Sequence, residues 1–362
     1  MFVLCDKSGN IYASAKKPAD IRYSWIHNSY KEDGCYHFLH GVSLAECKGG
    51  LIATYGFNFG FEASVTEKLS GKYSADDGKT WEGFFTITPE NASFANSHGV
   101  FGWHHEALWL FAPHFFGQAP PYFTQKGYAS LHYPKLFTEA WIRQDNGNWQ
   151  PVGKVVDDFW PYHPPIKLPN GNYLMTGFDH RWLSSVAISN GDNFAEWKMV
   201  SIPTQEEVYS EAGAWVMPDR VIAVLRNETK RNADGFYHAI ISISTDNGEH
   251  FSQPEESNLP MSTSKPFCGM LSDNRPYLIF NYPKRHEKDR SCMMIGIGSV
   301  GRTELSHFFI LDEWAPGLAY PYAMERNGCL YVTYSSRSQG AAAEGNLNDA
   351  KLAVIPLESF AE

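Results

Sequence analysis

Six residues able to move protons or hold an anion recur at one place in a repeated pattern. His40, His98, His163, Glu211, Lys265 and Tyr320 each open a stretch of seventeen residues. At or near the far ends of those stretches stand His114, Asp179, Arg226 and Asn281. Histidine titrates near neutral pH and can take and return protons, whereas lysine and arginine supply the charge that binds a carboxylate. Strand termini are often polar for solvation alone. As a set, these residues combine proton-transfer groups with cations suited to an acidic sugar.

The elements that must position them are hairpins. Each stretch, such as HGVSLAECKGGLIATYG from His40 or EAGAWVMPDRVIAVLRN from Glu211, reads as a strand, a tight polar turn and a second strand. In an antiparallel hairpin the first residue lies beside the last, so both loaded ends meet at one edge. The starts are 58, 65, 48, 54 and 55 residues apart. A multi-stranded unit repeating at that spacing predicts an all-β fold, a β-propeller of four-stranded blades whose loaded edges face one mouth. Six blades are counted, and the 82 residues joining the sixth start to the first through the chain termini exceed one blade and fall short of two. A composite seventh blade therefore stays open, and the strand-like FVLCDKSGNIYASA is the candidate to close the ring or help build it.

Length alone would suggest two domains for 362 residues, but the repeats make residues 1–362 one domain. A net charge of −10 without a long basic run excludes nucleic acid as the expected partner. No apolar run approaches the length of a membrane span. MFVLCDKSGN lacks the features of a signal peptide, so the expectation is an intracellular protein or one whose leader has been removed. Cys5, Cys35, Cys47, Cys268, Cys292 and Cys329 are scattered and read as reduced thiols.

Two turns carry a sharper signature. Ser74-Ala-Asp76-Asp77-Gly78-Lys79-Thr80-Trp81 and Ser244-Thr-Asp246-Asn-Gly248-Glu-His-Phe251 share S-x-D-x-G-x-x-[WF], with Ser189 to Phe194 a degenerate copy. Serine and aspartate side chains can bond amides inside such a turn, and the aromatic plugs the blade. The motif resembles the Asp-box of the sialidase superfamily, which implies a propeller and no particular chemistry. Sialidases grip a carboxylate with three arginines and use a Tyr–Glu nucleophile pair. By that resemblance Glu211 and Arg226 look like the glutamate and second arginine, Arg290 like the third, and Tyr320 or Tyr322 like the nucleophile. His40 stands where the first arginine would be, so a sialidase reading lacks one carboxylate ligand.

The set His98, His114, Tyr209 and Arg226 is also similar to propeller-fold polysaccharide lyases, the ulvan and rhamnose–glucuronate lyases. That resemblance implies β-elimination at a uronic acid. Arg226 and His98 would neutralise the carboxylate so that charge can spread onto it, His114 would remove the C5 proton, and Tyr209 would protonate the leaving oxygen. The expectation is a carbohydrate-active enzyme on an acidic oligo- or polysaccharide, first a lyase and alternatively a sialidase-type hydrolase or a non-catalytic glycan-binding propeller. Substrate contacts are expected from His40, His163, Glu211, Lys265, Arg290, Tyr320, Tyr322 and Trp160.

Each residue has a structural alternative. His98 would cap a turn, His114 would be a core histidine, Arg226 would pair with Glu211 or Glu228, Tyr209 would only pack, and Trp160 and Tyr162 would fill space between blades. No cofactor is required. Cys268, His286 and Cys292 are weak candidates for a structural metal ion, zinc by the softness of these ligands, with calcium the alternative.

Overall fold

A computed structural model describes the chain except residues 7–9, 34–37, 59–65, 90–91, 117–134, 205–208, 229–233, 338–347 and 361–362. The described residues form six antiparallel blades, numbered here I to VI in chain order. Blade I runs Phe38–Cys47, Gly50–Asn58, Lys68–Ser74 and Glu82–Thr86, and blade IV runs Tyr209–Val216, Val221–Asn227, His238–Ser244 and Glu255–Pro260. Blade V starts with Phe267–Met270 and Pro276–Asn281. In blade VI, Leu318–Arg326, Cys329–Arg337 and Asn348–Pro356 are completed by Arg22–His27, so the ends of the chain close the ring with no seventh sheet among the described residues. The FVLCDKSGNIYASA stretch does something different. It forms isolated bridges from Phe2 to Ser257 and Cys5 to Leu305 and contains the short helix Ile11–Ser14.

Apolar strand faces bury between neighbouring blades, as with Leu44, Ala53, Val332 and Leu352 of blades I and VI. The Asp-box turns join the third and fourth strands. Gly78 N and Gly248 N each donate to the serine hydroxyl four residues back at 2.8 Å, and Thr80 N and His250 N donate to Asp76 and Asp246 at 2.9 Å. Backbone and side-chain bonds from Thr80 hold Asp76, and side-chain and backbone bonds from His250 hold Asp246, at a pKa of about 2. No helix among the described residues is long and apolar enough to cross a membrane.

In five of the six blades the first strand is interrupted near its mouth end. Register shifts occur between His40 and Ser43, Ser210 and Ala212, and Ala319 and Tyr322. In blade II the strand splits into Ala95–Asn96 and Val100–His104, and in blade III into Trp160–Pro161 and Ile166–Lys167. In blade V it begins only at Phe267. His40, His98, His163, Glu211 and Tyr320 sit at these breaks, and Lys265 lies just ahead of the blade V strand. A bulge re-aims a side chain that the pleat would send into a blade face.

Candidate active site

At the centre Glu211 and Arg226 face each other across the blade IV bulge. Arg226 Nη1 donates to Glu211 Oε2 at 2.6 Å and to the Tyr320 hydroxyl oxygen at 3.1 Å, while that hydroxyl donates to Glu211 Oε1. Arg226 also forms an ion pair with Glu228 through Nε. Glu211 and Tyr320 have φ of 42° and 58°, a left-handed conformation costing about 1–2 kcal/mol per non-glycine residue. Such strain persists where surrounding structure fixes it, and it concentrates at functional sites.

The cluster is withdrawn from water. Glu211 is 0 % exposed, and Arg226 and Tyr320 are each 4 % exposed, so charge acts through a low dielectric. Burial alone would lower the Arg226 pKa, but Glu211 and Glu228 together raise it well above the usual value. Burial raises the Glu228 pKa against the opposing pull of Arg226. Arg290 is lowered by burial and by Arg226 beside it, and its guanidinium bonds the Thr263 carbonyl through Nε at 3.0 Å. Lys265 Nζ donates to the Tyr162 carbonyl at 3.1 Å, and burial lowers its pKa to about 7 with Glu211 opposing.

On the other side of Tyr320 lie two histidines. The His40 ring is 3.8 Å from the Tyr320 ring, and the His98 ring is 5.6 Å from His40 and 5.7 Å from Tyr320. Burial pushes both imidazoles well below their ordinary pKa, with His98 and nearby cations adding to the effect on His40 and Lys265 to that on His98. Both are therefore neutral at neutral pH. His40 Nδ1 and His98 Nε2 have no hydrogen-bond partner among the described residues.

Several candidates belong elsewhere. His163 is spent on blade V, where its ring stacks 4.6 Å from Phe267 and Nε2 meets the Cys268 carbonyl at 2.5 Å. Burial lowers its pKa to about 4 despite that bond. His114 lies between Phe94 and Phe137, at 3.9 and 4.2 Å, with Nδ1 3.3 Å from Glu139. It stands opposite Asn96 in the blade, and its ring packs against aromatic rings instead of taking the place beside His98 that the elimination scheme requires. Tyr209 packs in an apolar cluster with Leu168, Val186 and Leu225. Tyr322 faces Phe267, so of the two tyrosines it is Tyr320 that meets Glu211.

Trp160 is 4 % exposed and stacks on Phe115 at 5.1 Å. Its Nε1 donates to the His98 carbonyl at 3.2 Å, so it supports His98 and offers no open face to a sugar. Asp179 caps its own loop through the backbone of Arg181 and Leu183, and Asn281 donates to the Leu318 carbonyl at 3.0 Å. Cys268 and Cys292 are fully buried, and burial raises both thiol pKa values, which opposes the thiolates a zinc site needs. They form no ligand group with His286. Among the described residues the groups of three potential ligands are His104, His105 and Asp192, and Asp158, Asp179 and His180. Cys35 lies outside the described residues.

Two participants have no hairpin signal. Glu67, 1 % exposed and just before the Lys68 strand, accepts from the Ser97 hydroxyl, and Ser97 Oγ is 3.1 Å from His98 Nδ1. A signal for the strand breaks themselves was present. Gly41, Gly99, Pro164, Pro266 and Pro321 each follow a mouth residue, and glycine or proline inside a strand marks an interruption.

Fold and site together define a six-bladed propeller whose axis holds a buried tyrosine–carboxylate–arginine cluster. Residues 41–332 match the BNR repeat-like domain, and the chain belongs to that family. No curated protein sequence matches the chain. Among solved structures it is similar to a Dyadobacter fermentans protein of unknown function, with TM-score 0.68 and 16% identity over 93% of this chain and 99% of that one. It is similar to Trypanosoma rangeli sialidase in its covalent intermediate with 2,3-difluorosialic acid, with TM-score 0.67 and 12% identity over 94% of this chain and 59% of that one. The chain thus spans about three-fifths of that sialidase. The intramolecular trans-sialidase of Ruminococcus gnavus, bound to oseltamivir carboxylate, aligns with TM-score 0.67 and 12% identity over 89% of this chain and 95% of that one. At these identities the likeness is one of fold.

Proposed function

We infer that the protein is a glycoside hydrolase acting on an acidic sugar, with Tyr320 as nucleophile and Glu211 as its base. Arg226, Arg290 and Lys265 supply the cations for the sugar's carboxylate. The observation that carries this reading is the hydrogen bond from the Tyr320 hydroxyl to Glu211, braced by Arg226 and made at two strained backbone positions.

A phenol is a weak nucleophile until a base takes its proton, and Glu211 is placed to do so. A carboxylate nucleophile would meet the substrate's carboxylate with like charge, whereas a neutral phenol does not. Tyrosine nucleophiles are the sialidase exception among glycosidases. The sialidase neighbour captured as a covalent intermediate lends support to the same route here. Attack of the Tyr320 oxygen on the anomeric carbon would form a glycosyl-tyrosine, which water then cleaves. Planar guanidinium groups match a carboxylate, and Lys265, titrating near 7, tunes the charge.

The test is a panel of nitrophenyl glycosides of sialic acid, glucuronic acid and galactose. Nitrophenolate release from an acidic member, abolished in Tyr320→Phe and Glu211→Gln, is the expected result. Equal release from the neutral galactoside would contradict the reading.

A further inference from the structure

We propose that Glu67, Ser97 and His98 form a hydrogen-bond relay that leaves His98 Nε2 bare and makes His98 the acid–base group of the site. Glu67 and Ser97 are positioning residues, and the proposal rests on the hydrolase reading above.

The donor sequence fixes the tautomer. The Ser97 hydroxyl donates to Glu67 Oε1, so its oxygen can only accept from His98 Nδ1 at 3.1 Å. Nδ1 then carries the proton and Nε2 presents a lone pair. Nε2 is fully buried without a hydrogen-bond partner among the described residues, and the ring is 4 % exposed beside Tyr320 and His40. Leaving such an atom unsatisfied is costly, and a substrate hydroxyl or water reaching it would relieve that cost.

Two glycines clear the space for this chain. A Cβ on Gly41 would lie 2.0 Å from the His98 ring, and one on Gly56 would lie 2.4 Å from Glu67 Oε1 and 2.7 Å from Ser97 Oγ. Trp160 and Tyr162 pack against the imidazole, with rings 5.5 and 5.0 Å from it. The charged and titratable groups facing the imidazole are Glu67 through Ser97, His40, Lys265, Tyr162 and Tyr320. Burial and Lys265 oppose its protonation, and a carboxylated sugar beside it supplies the countering charge.

The cycle balances. Binding of the carboxylated sugar draws a proton from water onto the bare Nε2, and Tyr320 then gives its proton to Glu211 as its oxygen bonds the anomeric carbon. The bond to the leaving oxygen breaks, and that oxygen takes the proton from Nε2. Water then gives a proton to Nε2 as its oxygen bonds the anomeric carbon. The tyrosyl bond breaks, its electron pair stays on the Tyr320 oxygen, and that oxygen recovers the proton from Glu211.

Long-range proton–nitrogen NMR on protein labelled at histidine nitrogens reads the tautomer directly, with His98→Gln assigning the signal. Protonated Nδ1 and bare Nε2 at neutral pH are expected, shifting toward protonated Nε2 in Ser97→Ala and Glu67→Gln. Protonated Nε2 in the native protein, or a tautomer indifferent to both substitutions, overturns the relay. Kinetics give the second reading, because an acid matters most for a poor leaving group. His98→Gln should lower kcat/KM about 100-fold or more on an alkyl glycoside, with a much smaller loss on the nitrophenyl glycoside of the same sugar. Equal losses overturn the role of His98. If the native protein hydrolyses none of the acidic glycosides, the hydrolase reading fails, while the tautomer still decides the relay.

Discussion

The Tyr320 hydroxyl hydrogen points to Glu211 Oε1 although the two residues belong to blades VI and IV, with all of blade V between them. The contact therefore forms on the propeller axis and not at a seam between neighbouring blades. Both residues reach it from strand breaks at positive φ. Removing either partner separates chemistry from stability. Glu211→Gln should abolish turnover and, by leaving Arg226 with Glu228 as its remaining carboxylate, destabilise the fold by about 3 kcal/mol. Tyr320→Phe should abolish turnover while costing about 1 kcal/mol in urea unfolding. Equal stability losses would show that the arginine does not depend on Glu211.

Lys265 gives the site a pH dependence of known sign. Its folded pKa of about 7 lies below that of an exposed lysine, so it is charged below that pH and neutral above it. Affinity for a carboxylated sugar should be greatest below pH 7 and fall as pH rises through it, and Lys265→Met should remove that limb in calorimetric titrations. The folding linkage runs the other way. The buried charge penalises the native state at low pH, the penalty lifts as pH rises above 7, and Lys265→Met should raise Tm most at acid pH.

Ser74→Ala tests the separation of scaffold from site. Ser74 Oγ accepts from Gly78 N at the turn edge, far along the blade from the mouth. Its loss should cost about 1 kcal/mol in denaturant unfolding and leave kcat/KM unchanged.

His114→Ala distinguishes hydrolysis from elimination. With His114 stacked between Phe94 and Phe137, the substitution should destabilise the blade by about 0.5–1.5 kcal/mol per lost ring contact and leave turnover of acidic glycosides intact. Loss of activity without loss of stability would restore His114 to the chemistry.

The blade repeat was legible because strand, turn and strand recur with a fixed length, and position 1 of each repeat marked the mouth. Which second-strand residues join the central cluster was not legible, because it depends on what each side chain packs against. Arg226 bonds Glu211 and Tyr320, whereas His114 is held between Phe94 and Phe137. The choice between Tyr320 and Tyr322 depended on a bulge that shifts the pleat by one residue, and the strain at Tyr320 is invisible in residue types. Glu67 was hidden for a different reason, since it precedes a third strand and meets Ser97 only once blades I and II pack together.

Mechanism-based trapping decides the central claim. Fluorinated glycosyl fluorides of sialic and glucuronic acid form their glycosyl-enzyme faster than it is hydrolysed, and peptide mass spectrometry then locates the sugar. The account predicts one added sugar on the peptide containing Tyr320, absent in Glu211→Gln. An unmodified Tyr320 in protein that converts a glucuronate glycan to an unsaturated uronate would contradict it.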